Sequence, residues 1–221
     1  MTAPLEAESL YRFFHVGDDE TLALQGVSLA VASGEMVSVT GPSGSGKSTL
    51  LSCLAGLDEP DGGHVTIDGE RLSRRPEEER GRLRARSIGM LYQQTNLVAH
   101  LSVEDNIALV QRLSPEGLDA GRRQAVLERC GIAKRAHARP SQLSGGELAR
   151  AGLAVALAND PPVVLADEPT GELDSVTAVR ILGLLRERAA EGAAVLIVTH
   201  DPEVAAATDR EIRLRDGRVQ A

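Results

Sequence analysis

The hydrophobic pattern changes period several times along the chain. Short apolar, β-branched runs alternate with stretches whose apolar residues recur at helical spacing, which predicts an α/β domain around a central sheet. Strands are expected at Val27–Val31, Met36–Thr40, His64–Ile67, Ser87–Tyr92, Pro162–Ala166 and Ala194–Thr199. The runs beginning at 36, 162 and 194 are continuously apolar rather than alternating, so they read as parallel strands buried on both faces. Between about Ser102 and Asp160 the pattern is almost wholly helical, in SVEDNIALVQRL, GRRQAVLERC and ELARAGLAVALA, and looks like a helical insert in the α/β core. The segment REIRLRDGRVQ has strand-like halves around an Asp-Gly pair and predicts a hairpin.

At 221 residues the chain fits one large domain, or one domain with an insert, and has no internal repeat or low-complexity linker. No segment approaches the roughly 18 uninterrupted apolar residues of a membrane span, so any membrane role needs a partner. The opening MTAPLEAESL has neither a basic start nor an apolar run, from which we expect no secretory signal and a cytosolic location. A formal net charge of −8 argues against a dedicated nucleic-acid binder. Cys53 and Cys130 are far apart, without a CxxC or a His/Cys cluster, and read as packing residues rather than a disulfide or zinc site. Only two of the 24 basic residues are lysines, Lys47 and Lys134, which makes Lys47 conspicuous.

The strand MVSVT runs into GPSGSGKST and then into the helical LLSCLAGL, the order that a GxxxxGK[ST] phosphate loop requires. The loop comprises Gly41, Pro42, Ser43, Gly44, Ser45, Gly46, Lys47, Ser48 and Thr49. Its glycines let backbone N–H groups converge on phosphate oxygens, and the following helix points its positive end at the same anion. Lys47 would reach the β- and γ-phosphates, Ser48 would ligate Mg²⁺ and Thr49 would support the α-phosphate.

A second buried strand, VVLA, ends in Asp167 and Glu168, at the edge where open α/β sheets place their ligands. Asp167 would hold the magnesium shell and Glu168 would act as the base that polarises the attacking water. An acidic pair capping the next turn is the other reading. The strand AAVLIVT delivers His200 to the same edge as a donor that senses the γ-phosphate. His15, His64, His100 and His137 read as surface or packing residues. In LSGGE, Ser144 and Glu147 form an S-x-x-E capping box, with Gly145 and Gly146 exposing backbone N–H groups; a well-capped helix satisfies the same letters.

Taken in order, GPSGSGKST, the Gln93 of LYQQ, LSGGE, LADEPTGELDS and VTHD resemble the ATP-binding-cassette ATPases over essentially the whole chain. The resemblance implies an ATPase core with a mixed sheet and an antiparallel β subdomain, about 1–93 and 161–221, and an inserted α-helical subdomain at about 94–160. It also implies ATP and Mg²⁺ as ligands and a second copy or similar cassette as partner. By that resemblance the signature of one subunit, through Ser144 and Gly146, would close over the γ-phosphate held by the other, and Asp174 would lie at the dimer seam. The resemblance also implies that Gln93 reports on Mg²⁺ and the attacking water and that the segment TNLVAHLSVEDN meets transmembrane permease subunits; an exposed loop glutamine is the plainer alternative.

Three positions depart from the family pattern. Glu147 stands where glutamine is commoner, Glu172 where asparagine or alanine is common, and Phe14 where the adenine-stacking residue is usually tyrosine, with Tyr11 and Phe13 as competitors. Within the family the chain looks most like the lipoprotein-release and macrolide-export group, whose membrane subunits carry a large extracytoplasmic domain and transmit force across the bilayer. An ATP-driven regulatory coupler that moves no substrate is the alternative. The stretch RLSRRPEEERGRLRARS, with seven arginines and three consecutive glutamates, reads either as a solvated helix laced by pairs such as Glu78 with Arg82 or as a surface near anionic headgroups or the partner.

Overall fold

A computed structural model describes residues 3–16, 19–93, 96–171 and 173–220. Thr95, Glu172 and the side chain of His15, which enter the expectations above, lie outside the described residues. The strands are β1 (Leu5–Val16), β2 (Asp19–Val31), β3 (Met36–Thr40), β4 (Gly62–Ile67), β5 (Glu70–Arg71), β6 (Ile88–Leu91), β7 (Val163–Asp167), β8 (Ala194–Val198), β9 (Arg210–Arg215) and β10 (Arg218–Val219). The α-helices are α1 (Lys47–Leu54), α2 (Glu77–Ser87), α3 (Val103–Leu113), α4 (Ala120–Arg129), α5 (Gly145–Ala156), α6 (Ser175–Ala190) and α7 (Pro202–Ala206).

Among the described residues the strands form two sheets. One has the order β10-β9-β3-β8-β7-β6, parallel except for the terminal β9–β10 hairpin; the other is antiparallel, β2-β1-β4-β5. The three runs read as buried parallel strands are β3, β7 and β8, at the centre of the larger sheet. Their side chains alternate between two hydrophobic clusters. Val37, Val39, Leu165 and Leu196 pack with α1 and the antiparallel sheet, whereas Val164, Ala166, Val195 and Ile197 pack with α5, α6 and the helical segment. Apolar residues on both faces allow these strands to be covered on both sides, and the one buried polar side chain of β3, Ser38, is satisfied by Thr208 Oγ1 at 3.0 Å.

Register sets where the chain's chemistry collects. Val39 pairs with Val198, and Val198 with Asp167, so the carboxyl ends of β3, β8 and β7 finish level. Beyond the strands, Thr199 N donates to Val39 O (3.1 Å) and Glu168 N to Val198 O (2.9 Å), which carries that alignment one residue further.

The long β1 and the first half of β2 escaped the sequence reading for a physical reason. Ser9 has φ 48°, and the β1–β2 register slips between Ala7 and Leu10, Leu10 and Tyr11, and Arg12 and Phe13. Each bulge interrupts the two-residue alternation by which a half-buried strand is recognised. Helix α6 also went unread.

The arginine-rich stretch forms α2, laced as a solvated helix would be. Arg82 pairs with Glu78 (2.5 Å), Arg84 with Glu77 (2.6 Å) and Arg80 with both Glu77 and Glu59. Cys53 and Cys130 are buried, free and in different clusters, and burial pushes both thiols up to about 12.

Leu196 is fully buried at the centre of β8. Leu196→Ala is expected to lower unfolding stability by about 2–5 kcal/mol, measured as a fall in the urea midpoint. A change below about 0.5 kcal/mol would contradict that placement in the core.

Candidate active site

A cleft of about 780 Å³ opens at the level strand ends. Its wall combines the phosphate loop (Gly41–Gly44 and Gly46–Thr49), Asp167 and Glu168 from the end of β7, His200 from the end of β8, Gln93 after β6 and Phe14 from β1. Residues separated by up to 186 positions therefore meet around one space, as expected from the sequence.

The loop is shaped for a close-fitting anion. Gly46, the N-cap of α1, has φ 99°, and a Cβ there would stand 2.4 Å from the Ala23 carbonyl oxygen. A Cβ on Gly41 would stand 2.1 Å from the Leu214 carbonyl oxygen. No larger residue fits at either point. Helix α1 has neither a side-chain N-cap nor an acidic residue in its first turn. The other described α-helices have one or the other: Ser102, Asp119, Ser144, Asp174 and Asp201 cap α3 to α7, and Glu77 to Glu79 open α2. The positive end of α1 is thus left for a ligand. Lys47 Nζ donates to the carbonyls of Gly41 (2.8 Å) and Pro42 (2.9 Å), holding a full positive charge at the loop. Ser45 Oγ is buried and without a hydrogen-bond partner, and Ser45 is the loop residue that does not line the cleft.

Glu168 sits at φ 45°, in the left-handed region that side chains rarely adopt, and its carboxylate is tightly held. It accepts from Thr199 Oγ1 (3.0 Å), from His200 N (3.0 Å) and, through Oε1, meets His200 Nδ1 at 2.6 Å. Its side chain is only 13% exposed, whereas that of His200 is 75% exposed. The hydrogen bond to Glu168, and then its charge, raise the His200 pKa above the ordinary value. Burial, reinforced by the neighbouring Glu168 charge, raises Asp167, with Lys47 opposing the shift.

Phe14 is the aromatic residue on the cleft wall, with the Arg12 guanidinium 4.8 Å from its ring centre. Tyr11 instead lines a separate depression with Leu22, Gly26 and Val219, and Phe13 lines neither. Gln93 is exposed at the cleft and also borders a second cavity of about 170 Å³, shared with Glu168, Gly145 and Leu148.

Ser144, Gly145, Gly146, Glu147 and Asp174 do not line the phosphate cleft of their own chain. Ser144 and Glu147 form the expected capping box, with Ser144 N donating to Glu147 Oε2 (2.8 Å) and Glu147 N to Ser144 Oγ (3.4 Å). Asp174 caps α6 by accepting from Thr177 N (3.0 Å) and Thr177 Oγ1 (2.7 Å). A Cβ on Gly146 would meet Thr177 Oγ1 at 2.9 Å, so the starts of α5 and α6 lie against each other.

A family model described as ABC transporter matches residues 24–171. The chain belongs to the ABC transporter family. It is an ATP-binding cassette with the ATPase fold, and it resembles solved cassettes along nearly its whole length. One is the ATP-binding cassette MJ0796 in a dimeric post-hydrolysis state bound to ADP and Pi, at TM-score 0.90 and 36% identity, covering 98% of this chain and 97% of that one. Among curated relatives, the lipoprotein-releasing system ATP-binding protein LolD of Bordetella pertussis is 46% identical over 98% of this chain and 95% of its own length. The macrolide export ATP-binding/permease protein MacB of Chromobacterium violaceum is 42% identical over 98% of this chain. The cassette spans only 34% of that MacB protein.

The sequence reading missed several residues at this site. Thr199 holds Glu168, while Thr21, Leu22, Ala23, Gln25, Asp216 and Gly217 complete the cleft. The hairpin around Asp216 and Gly217 was expected, but its return to the phosphate loop has no local signal.

His200 is expected to titrate above 6.5, the ordinary histidine value. Its contact with Glu168 favours the folded state fully below 6.5 and is lost as pH rises through the raised folded value. An NMR titration of the His200 ring checks this, with Glu168→Gln moving the midpoint down towards 6.5. An unmoved midpoint would show that Glu168 is not the cause.

Proposed function

We propose that the chain binds MgATP in this cleft and hydrolyses it as one half of a two-cassette sandwich, coupled to transmembrane permease subunits. The observation that carries the reading is the meeting of Lys47, Asp167, Glu168 and His200 around one anion-shaped space. The core would comprise about 1–93 and 161–221, with 94–160 as the helical subdomain. We place the cassette at the cytoplasmic face of a membrane through its partner; among the described residues no helix is long and apolar enough to cross one.

In the proposed roles, Phe14 stacks on the adenine, as any aromatic face can. The amides of residues 41–49 and Lys47 Nζ hold the phosphates, with Lys47 leaving its two carbonyl partners to do so. Ser48, Gln93 and Asp167 would hold magnesium. They fit it: the three line the same cleft, and Asp167, raised by burial and by the neighbouring Glu168 charge, is the carboxylate that a cation would favour. Such sparse protein ligation suits an ion that keeps waters and takes phosphate oxygens. When bound, it supplies positive charge to the β- and γ-phosphate oxygens.

Glu168 takes a proton from the attacking water as the water oxygen bonds to the γ-phosphorus and the bond to the ADP oxygen breaks. With Nδ1 of His200 engaged by Glu168, Nε2 donates to a γ-phosphate oxygen when the ring carries both protons. The capped N-terminus of α5, through Ser144 and Gly146, closes over the nucleotide of the second cassette, and Asp174 meets that cassette at the seam. Loss of the γ-phosphate removes these contacts and reopens the pair. The relatives' names, lipoprotein release and macrolide export, support export or force transmission across an envelope as the coupled work.

Glu168→Gln is expected to leave ATP binding intact, trap an ATP-loaded dimer by size-exclusion chromatography and lower phosphate release by about 10²- to 10⁴-fold. Undiminished hydrolysis by that variant would falsify the assignment of the base.

A further inference from the structure

We infer that Gln25 is a positioning residue for nucleotide binding, because it fastens the C-terminal hairpin to the outer wall of the phosphate loop. The inference rests on the cleft being the nucleotide site. At three points the loop leans on chain far from it in sequence. Gly217 N donates to Ser45 O (3.1 Å), the Ala23 carbonyl abuts Gly46, and the Leu214 carbonyl abuts Gly41. Two of these supports come from the hairpin made by β9 and β10, and the third from β2.

Gln25 joins those supports to each other. Its backbone N–H donates to Gly217 O (2.8 Å) and its Nε2 to Asp216 O (2.8 Å). Its Oε1 accepts from Arg218 Nε (3.0 Å) and Nη2 (2.9 Å). One side chain thus satisfies the turn on both flanks, and Gly217, held between Gln25 and Ser45, passes that restraint to the middle of the loop. A Cβ on Gly217 would lie 2.8 Å from Ala23 O, so the turn is seated against β2 with no slack. Loop amides bind phosphate well only if their convergence is fixed before the ligand arrives. Gln25 therefore acts on ground-state binding, whereas proton transfer is left to Glu168.

The test is steady-state ATP hydrolysis by Gln25→Ala beside the unchanged protein, with thermal melting and hydrogen exchange of the 209–220 peptide with and without ADP. Losing the side chain's bonds is expected to raise KM about three- to tenfold with kcat within about twofold. The melting temperature of the nucleotide-free protein should stay within about 3 °C. ADP should slow exchange of that peptide in the unchanged protein, and less so in the variant. Gln25→Glu, which keeps an acceptor for Arg218 but cannot donate to Asp216 O, should fall between the two and serves if Gln25→Ala fails to fold. An unchanged KM, a fall in kcat matching the rise in KM, or ADP without effect on the hairpin overturns the inference. Failure of the unchanged protein to bind ATP would instead overturn the nucleotide reading itself.

Discussion

Among the described residues, the positive end of α1 has no side-chain cap and no acid in its first turn. Every other described α-helix closes its first turn with a side-chain cap or opposes its dipole with glutamates, whereas α1 begins at a bare glycine in a left-handed conformation. That deficit, with Lys47 beside it, creates a demand for negative charge that a polyphosphate meets. The surrounding architecture can be understood as fixing the demand in place. The parallel sheet brings three strand ends level with it, and the close approach of Ala23 and Leu214 carbonyls forbids side chains at Gly46 and Gly41.

Two carboxylates beside an anion site look at first like a contradiction, and their separate environments resolve it. Asp167 is raised by burial and by its neighbour, so it is the group that gains from a cation. Glu168 is committed to Thr199 and His200, three donors that orient its oxygens without using Lys47. Adjacent residues on one strand end are thereby given different chemistry. The capped start of α5 stands outside the cleft of its own chain, the placement that the proposed closure over a second cassette's nucleotide requires.

How much of this was legible in the sequence followed from how local each signal is. The phosphate loop, the buried strands at 36, 162 and 194, and the capping box of Ser144 with Glu147 depend on neighbours a few residues apart, and each stands where the letters put it. Phe14 could be separated from Tyr11 and Phe13 only once the bulged β1–β2 register turned it into the cleft. Thr199 and Gln25 were invisible for a different reason. A threonine after a buried strand and a glutamine before a glycine are ordinary, and their partners, Glu168 and the Asp216–Gly217 turn, lie 31 and about 190 residues away. Supporting contacts of that range are set by topology, which a motif does not encode.

The left-handed backbone at Glu168 carries a cost. A side chain held at φ 45° costs on the order of 1–3 kcal/mol; a glycine there would relieve the backbone but forfeit the acid and its three bonds to Thr199 and His200. In the role proposed above, the strained backbone at this strand end is kept for the acid it presents, and those three bonds hold it there.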